Sequence, residues 1–355
     1  MRYCALIIVY CLSGSVYSQI NIWESSLHYG KIIPHSSELK PVTEEPLWGL
    51  QLDYSRLKLS EKAWDQCNCY AKLGASFTYF NYQNPDQLGS SSNLIFFAEP
   101  YLSYKSPLKI SMRTGVGFTY LNRLYDENTN PENLFFSSHL SFIMHLGLYG
   151  IYSLNDNYAL KVGFNYNHIS NGGLKQPNKG MNFPTISAGV IYNRSSYKLE
   201  AREKNTHLKK KLFYYARLFG TMPEVSNEDV SVNERKLLIG LSGGALFHVT
   251  QSNAFNVGVE FTNDESYKRS AELMGEDYDH RVVGLVLGHN FVFGKILFNQ
   301  QMGWYAYRPF PSTSNSFYQR YELMYKIADK LQAGVGLKSH GHVAENMDLR
   351  IGVIF

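Results

Sequence analysis

The chain has 355 residues, of which 15% are aromatic and only 18% are charged, and its formal net charge is +4. That charge is too small to indicate binding to nucleic acid. A charged fraction below the soluble average of roughly 25%, together with 27 Tyr, 21 Phe and 28 Gly, is typical of membrane-spanning strands flanked by aromatic girdles.

The amino terminus has the features of a secretory signal peptide. Arg2 supplies a positive charge, residues 4–12 are mostly apolar, and Val16-Tyr17-Ser18 resembles a small-residue cleavage site. No later stretch offers 18 consecutive apolar residues, so the sequence contains no helical membrane span. We therefore expect a signal peptide over residues 1–18 and a single barrel domain over residues 19–355.

Strand patterns fill the rest of the chain. Alternating segments of roughly 9 to 18 residues are separated by turn chemistry from residue 46 onwards, and residues 48–54 and 23–33 supply two more strands at the front. The pattern predicts an all-β protein, an antiparallel transmembrane β-barrel of the bacterial outer membrane with about 14–16 strands. It indicates no domain boundary.

The connectors between these strands alternate between short turns and long polar loops, as outer-membrane barrels require. One connector breaks the rule, because residues 195–211 are basic and long where a short periplasmic turn is expected. If short turns are periplasmic, the strand that ends at Ser170 runs outward. The last strand then runs inward, with Leu349, Ile351, Val353 and Phe355 on one face.

After removal of the signal peptide, two cysteines remain in the chain, Cys67 and Cys69. Side chains two apart on a strand face the same way and would close a poor loop. We therefore interpret the pair as a local feature and predict no metal site.

The most informative stretch is residues 161–184, KVGFNYNHISNGGLKQPNKGMNFP. With a period of two, His168 and Ser170 continue an apolar strand face that begins with Val162, Phe164 and Tyr166. In a membrane barrel this face contacts lipid, and the end of the strand lies at the lipid–water boundary. The sequence therefore places a histidine and a serine side by side where a lipid ester is accessible.

A serine hydroxyl needs a base to take its proton, and the base needs a third group to orient it. His168 is two residues from Ser170, and Asn182 opens the next strand at the same membrane level. We predict catalytic roles for these three residues. Asn171, with Gly172 and Gly173, is the predicted oxyanion region, because glycines allow backbone N–H groups to converge.

The stretch NHISNGGLKQPNKG resembles the His-x-Ser-Asn-Gly region of outer-membrane lipid A 3-O-deacylases of the PagL type, which are also called acyloxyacyl hydrolases. The resemblance covers roughly residues 158–192. In that family a glutamate completes the His–Ser pair, and here spacing puts Asn182 at its position. The resemblance implies a serine esterase that acts on lipid A or lipopolysaccharide in the outer leaflet, without a cofactor or metal, as a monomer or homodimer.

Two other interpretations stay open. The spacing is also similar to outer-membrane phospholipase A, whose His-x-Ser pair is completed by an asparagine and which the resemblance associates with calcium and dimerisation. The other interpretation is a non-catalytic barrel, a porin or structural protein. It is favoured by Asn182, because an amide cannot supply the charge that stabilises an imidazolium.

Overall fold

The computed structural model describes residues 19–206, 208, 211–225, 234–309, 315–341 and 343–355, and the predicted signal peptide lies outside these ranges. Within them the chain forms sixteen antiparallel strands. The first eight are β1 Gln19–Lys31, β2 Pro46–Lys58, β3 Ala71–Asn81, β4 Ser90–Ser103, β5 Leu108–Leu121, β6 Leu140–Ser153, β7 Tyr158–Ser170 and β8 Met181–Asn193. The second eight are β9 Leu212–Thr221, β10 Leu238–His248, β11 Asn253–Asp264, β12 Arg281–Phe293, β13 Ile296–Tyr307, β14 Phe317–Lys326, β15 Leu331–His340 and β16 Val343–Ile354.

The helices are short and lie in connectors. They are a 3₁₀ helix at Ser37–Val42, α1 at Glu61–Trp64 and α2 at Glu265–Leu273. Among the described residues, no helix has the length and apolar character needed to cross a membrane.

The strands close into two barrels of eight. β1 pairs with β8, with Trp23 opposite Tyr192, and β9 pairs with β16, with Leu218 opposite Ile351. The all-β outer-membrane class and the upper strand count are confirmed, but the prediction of a single barrel over residues 19–355 is wrong. Alternation along a strand is the same in either arrangement, and only the pairing of β8 back to β1 decides where the sheet closes.

The connector that broke the length rule is the link between the barrels. Residues 194–206 follow β8 and cross the end of the first barrel. Trp64 Nε1 donates a hydrogen bond to Glu203 O at 2.9 Å, and Tyr70 OH donates to Glu200 O at 3.1 Å. Tyr197 and Leu199 pack against the apolar cluster at that end. The unusual length therefore reflects a linker that covers the first barrel.

The same end of the first barrel carries Cys67 and Cys69. Cys67 and Cys69 form a disulfide in the turns between α1 and β3. The sequence analysis placed them on a strand, and this was wrong, because helix α1 and its turns occupy the segment.

The lumen of the first barrel is filled by a buried ion network. Lys72 lies 2.5 Å from Glu24 and 2.6 Å from Glu99, while Lys161 lies 2.6 Å and 2.9 Å from the same two carboxylates. Arg113 lies 2.6 Å from Glu99. An eight-stranded barrel has an interior just wide enough for side chains to fill. The interior is therefore a polar core and does not resemble the open channel of a porin.

The second barrel repeats this arrangement with arginines. Arg217 lies 2.6 Å from Glu322, Arg320 lies 2.8 Å from Asp348, and Arg350 lies 2.5 Å from the same aspartate. All five side chains are buried. Both barrels therefore have paired charged side chains buried in the lumen.

Apolar side chains cover the outer walls of both barrels. Leu27 and Ile186 on the first barrel are 64% and 68% exposed, and Leu287 and Leu349 on the second are 64% and 73% exposed. Large aliphatic side chains exposed to this degree on strands of both barrels indicate a surface that contacts lipid.

Candidate active site

Strand β7 presents its two faces as the sequence predicts. Phe164 is 58% exposed on the lipid face, whereas Asn165 and Asn167 are buried in the lumen. His168 and Ser170 continue the lipid face and are partly buried. The side chains singled out by the sequence therefore project outward from the wall, at the end of the strand that carries the loop over residues 171–180. We call this the outer end, following the predicted orientation.

Asn182 contacts His168 directly. The ladder between β7 and β8 pairs His168 with Asn182, and residues directly opposite on one face are close neighbours. His168 Nδ1 lies 2.7 Å from Asn182 Oδ1. Because an amide oxygen only accepts, the proton is on Nδ1, and Nε2 is left with a lone pair. The predicted pair is therefore brought together in the tautomer that a general base needs.

Ser170 is held by two hydrogen-bond donors from the following loop. Gly172 N–H donates to Ser170 Oγ at 3.1 Å, and Asn178 Nδ2 donates to it at 3.0 Å. No hydrogen bond joins His168 Nε2 to Ser170 Oγ in this stretch of the described chain. Alternate residues of a strand have Cα atoms about 7 Å apart, so a rotation of the Ser170 side chain brings its hydroxyl towards the imidazole. In the structure the serine hydroxyl is turned towards the loop over residues 171–180.

The side chain of Asn171 is engaged within the loop. Its Nδ2 donates to Lys175 O at 2.7 Å and to Ser137 Oγ at 3.2 Å, and its Oδ1 accepts from Gly173 N at 3.0 Å. Both N–H groups of the Asn171 side chain are therefore engaged within the loop. Gly172 is the member of the predicted oxyanion region whose N–H contacts the serine.

Two residues that the sequence analysis did not assign to the site also shape it. Asn178 lies eight positions after Ser170 and reaches it because the loop folds back, while Asn178 Oδ1 accepts from Asn171 N at 3.1 Å. Gly180 has a φ of +66°, and a Cβ there would lie 3.0 Å from His168 Cε1. A glycine at this position leaves room for the imidazole. Spacing alone gave no signal for either residue, because the path of the loop brings them near.

Across the described ranges, no group of three or more His, Cys, Asp or Glu side chains has the geometry to hold a metal ion.

Two family models match the chain, one for each barrel. The model for lipid A 3-O-deacylase (PagL) matches residues 40–191, and the model for the acyloxyacyl hydrolase C-terminal domain matches residues 212–355. The chain belongs to the PagL family. The resemblance seen in the sequence is thereby confirmed, and this PagL-family chain is an acyl hydrolase of the bacterial outer membrane.

Three similar solved structures have low sequence identity to this PagL-family chain. The crystal structure of the outer membrane enzyme PagL is 18% identical with a TM-score of 0.35, and the match covers 47% of this chain and 97% of that one. Neisserial surface protein A is 15% identical with a TM-score of 0.32, over 49% and 96% of the two chains. The translocator domain of autotransporter NalP from Neisseria meningitidis is 9% identical with a TM-score of 0.22, over 99% and 92%. None of the curated proteins matches the sequence. The family assignment rests on the family models.

Proposed function

We propose that this protein is an outer-membrane serine esterase that removes an ester-linked acyl chain from lipid A. The observation that carries the proposal is that His168, Ser170 and Asn182 meet two hydrogen-bond donors of the loop at the lipid face of β7 and β8. His168 is oriented by Asn182 at 2.7 Å, and Ser170 Oγ receives donors from Gly172 N–H and Asn178 Nδ2 at 3.1 and 3.0 Å. A base and a nucleophile beside two aimed donors are the parts that acyl transfer requires.

In the first half of the reaction, Ser170 Oγ attacks the ester carbonyl carbon and its proton passes to His168 Nε2. Negative charge develops on the carbonyl oxygen, one bond beyond the attacked carbon. Gly172 N–H and the Asn178 amide, which contact Oγ in the resting site, lie beside that oxygen and stabilise it. Collapse of the intermediate expels the lipid alcohol, which takes the proton from His168 and leaves an acyl-serine.

In the second half, a water molecule replaces the alcohol. His168 takes a proton from the water as it attacks the acyl-serine carbonyl, and Ser170 recovers a proton as the fatty acid departs. Asn182 keeps the imidazole in the required tautomer through both halves. Because the amide is neutral, it stabilises the imidazolium less than a carboxylate does.

The substrate reaches the site from the membrane. His168 and Ser170 lie on the same face as Phe164 and Tyr166, which are 58% and 38% exposed to the lipid side. An acyl chain of a lipid in the outer leaflet therefore lies beside the hydroxyl without crossing the barrel wall. We propose lateral entry of lipid A, with no cofactor.

The decisive experiment compares lipid A from cells that express wild-type protein and the Ser170→Ala variant. Loss of one ester-linked acyl chain in the wild-type mass spectrum, and its retention with Ser170→Ala, supports the proposal. The matched control is Ser106→Ala, in the turn between β4 and β5 at the opposite end of the barrel, and it should behave as wild type. Identical lipid A in all samples would refute the proposal.

Purified protein assayed on phospholipid vesicles and on lipid A in parallel separates the two lipid substrates. We expect release of fatty acid from lipid A without added calcium. Calcium-dependent release from phospholipid alone would assign the site to a phospholipase.

A further inference from the structure

The second barrel touches the loop that carries the Ser170 donors. Met347, on the outer wall of β16, packs against Gly172 so closely that a Cβ at Gly172 would lie 2.2 Å from Met347 Sδ and 2.3 Å from Met347 Cγ. At the next residue, a Cβ on Gly173 would lie 2.8 Å from Glu345 O. Three residues in succession meet the second barrel, because the Arg235 guanidinium also donates to Leu174 O.

This contact is next to the reacting atoms. Gly172 is the residue whose N–H donates to Ser170 Oγ at 3.1 Å. Gly172 and Gly173 have φ values of +69° and +82°, a region that glycine enters readily but also leaves readily, because no Cβ restricts it. A pair of glycines in such a conformation needs external contacts to hold one geometry, since fixing each residue costs about 1–2 kcal/mol of conformational entropy.

The first barrel restrains this turn from one side only. Asn171 anchors the start of the loop through Lys175 O and Ser137 Oγ, while Asn178 lies over Ser170 from the end of the loop. On the remaining side the residues in contact with the glycines belong to the start of β16. The turn is therefore clamped between the two barrels.

We propose that the second barrel completes the active site, with Met347 as a positioning residue that holds the Gly172 amide on the oxyanion. The proposal rests on the esterase function proposed above and adds a reason for the two-barrel architecture. The role of Met347 is steric. Its side chain fills the space beside the Gly172 Cα. The Gly172 N–H therefore keeps its direction while negative charge develops on the substrate oxygen.

The test compares three variants of the full chain by steady-state kinetics on lipid A. Met347→Ala opens space beside Gly172 and should lower kcat about tenfold or more with little change in KM, because small displacements of reacting groups are costly. Met347→Leu conserves volume and should recover most of the rate. Leu349→Ala is the matched control, two residues along the same face and 73% exposed, and should leave kcat unchanged.

A second measurement reports the contact between the barrels without using activity. Leu174→Cys and Arg235→Cys, combined in one chain with a protease site inserted after Thr206, should be joined by a short bis-maleimide. After cleavage and denaturation the two barrels then migrate together, whereas each single-cysteine variant separates into two fragments. Folding of every variant is checked by heat-modifiable electrophoretic mobility.

The outcomes separate the two proposals. If the chain is active and Met347→Ala leaves kcat unchanged, or if Leu349→Ala lowers kcat equally, the role of Met347 is overturned while the esterase function stands. If the chain is active but the two cysteines do not cross-link, the role of Met347 is likewise overturned. A chain that forms the cross-link but neither hydrolyses lipid A nor reacts at Ser170 with a fluorophosphonate overturns the esterase function, and the role of Met347 with it.

Discussion

Asn182 lies directly opposite His168 in the β7–β8 ladder, and its side-chain oxygen accepts the imidazole Nδ1–H at 2.7 Å. The backbone of Asn182 is fixed as well, because Ile33 N donates to its carbonyl at 2.8 Å. The orienting group is therefore rigid but uncharged, and both properties have measurable consequences.

Replacing Asn182 tests orientation and charge separately. Asn182→Ala removes the acceptor and should lower kcat about a hundredfold, because the imidazole loses its tautomeric preference. Asn182→Glu restores a carboxylate beside the imidazolium and should raise kcat about tenfold. Both are measured as acyl release from lipid A by purified protein.

The same pair of substitutions at Asn128, an exposed loop residue, provides the control and should change nothing. Equal activity of Asn182→Ala and wild type would remove Asn182 from the mechanism.

Asn178 is expected to contribute to kcat more than to substrate binding. Asn178→Ala removes the donor that lies 3.0 Å from Ser170 Oγ, and loss of one oxyanion donor costs about 10²–10³ in kcat. Asn178→Asp has nearly the same shape but offers no N–H and adds negative charge, so its kcat should be lower still. Full kinetics on lipid A separate kcat from KM. If Asn178→Asp kept the wild-type kcat, Asn178 would have no part in stabilising the oxyanion.

Arg113 should be essential for the stability of the first barrel. Its guanidinium lies 2.7 Å from Asp53 and 2.6 Å from Glu99 inside the lumen. Arg113→Met leaves Asp53 without this cation and removes one of the three cations around Glu99, and it should reduce the free energy of unfolding by about 3–5 kcal/mol. Urea unfolding in lipid vesicles, followed by tryptophan fluorescence, measures the change.

Arg56→Met is the control for that experiment, since Arg56 is exposed on the same barrel and its loss should cost less than about 1 kcal/mol. Equal stability of the two variants would contradict a structural role for the buried network.

A pH-dependent contact links the site loop to the 3₁₀ helix outside the membrane-spanning strands. The hydrogen bond from Lys179 lowers the pKa of Glu38 below its usual value. A lowered pKa means that the contact stabilises the fold above the ordinary pKa of a glutamate and loses that effect as the pH falls through the lowered one. Lys179→Met should therefore raise the pKa of Glu38, which is measured by NMR titration of its carboxyl carbon. An unchanged pKa would show that the two side chains do not interact in solution.

The local alternation of residues was sufficient to predict much of this protein. Strand β7 shows why, because Val162, Phe164 and Tyr166 face lipid while Lys161, Asn165 and Asn167 fill the lumen. Apolar and polar residues thus alternate with the period of two that a strand imposes. The same logic put His168 and Ser170 on the outer wall and Asn182 across the ladder from His168. Hydrophobic alternation is a property of each strand, so the sequence by itself determines which face a side chain occupies.

Only the tertiary structure decided where the sheet closes and which groups surround the serine. The same strands satisfy their alternation in one barrel of sixteen or two of eight, and the pairing of β8 with β1 selects the second arrangement. Asn178 reaches Ser170, and Met347 reaches Gly172, through contacts between segments that are distant in the sequence. Such contacts depend on the path of a loop and on the packing of one barrel against another, and a pattern with a period of two carries no information about either.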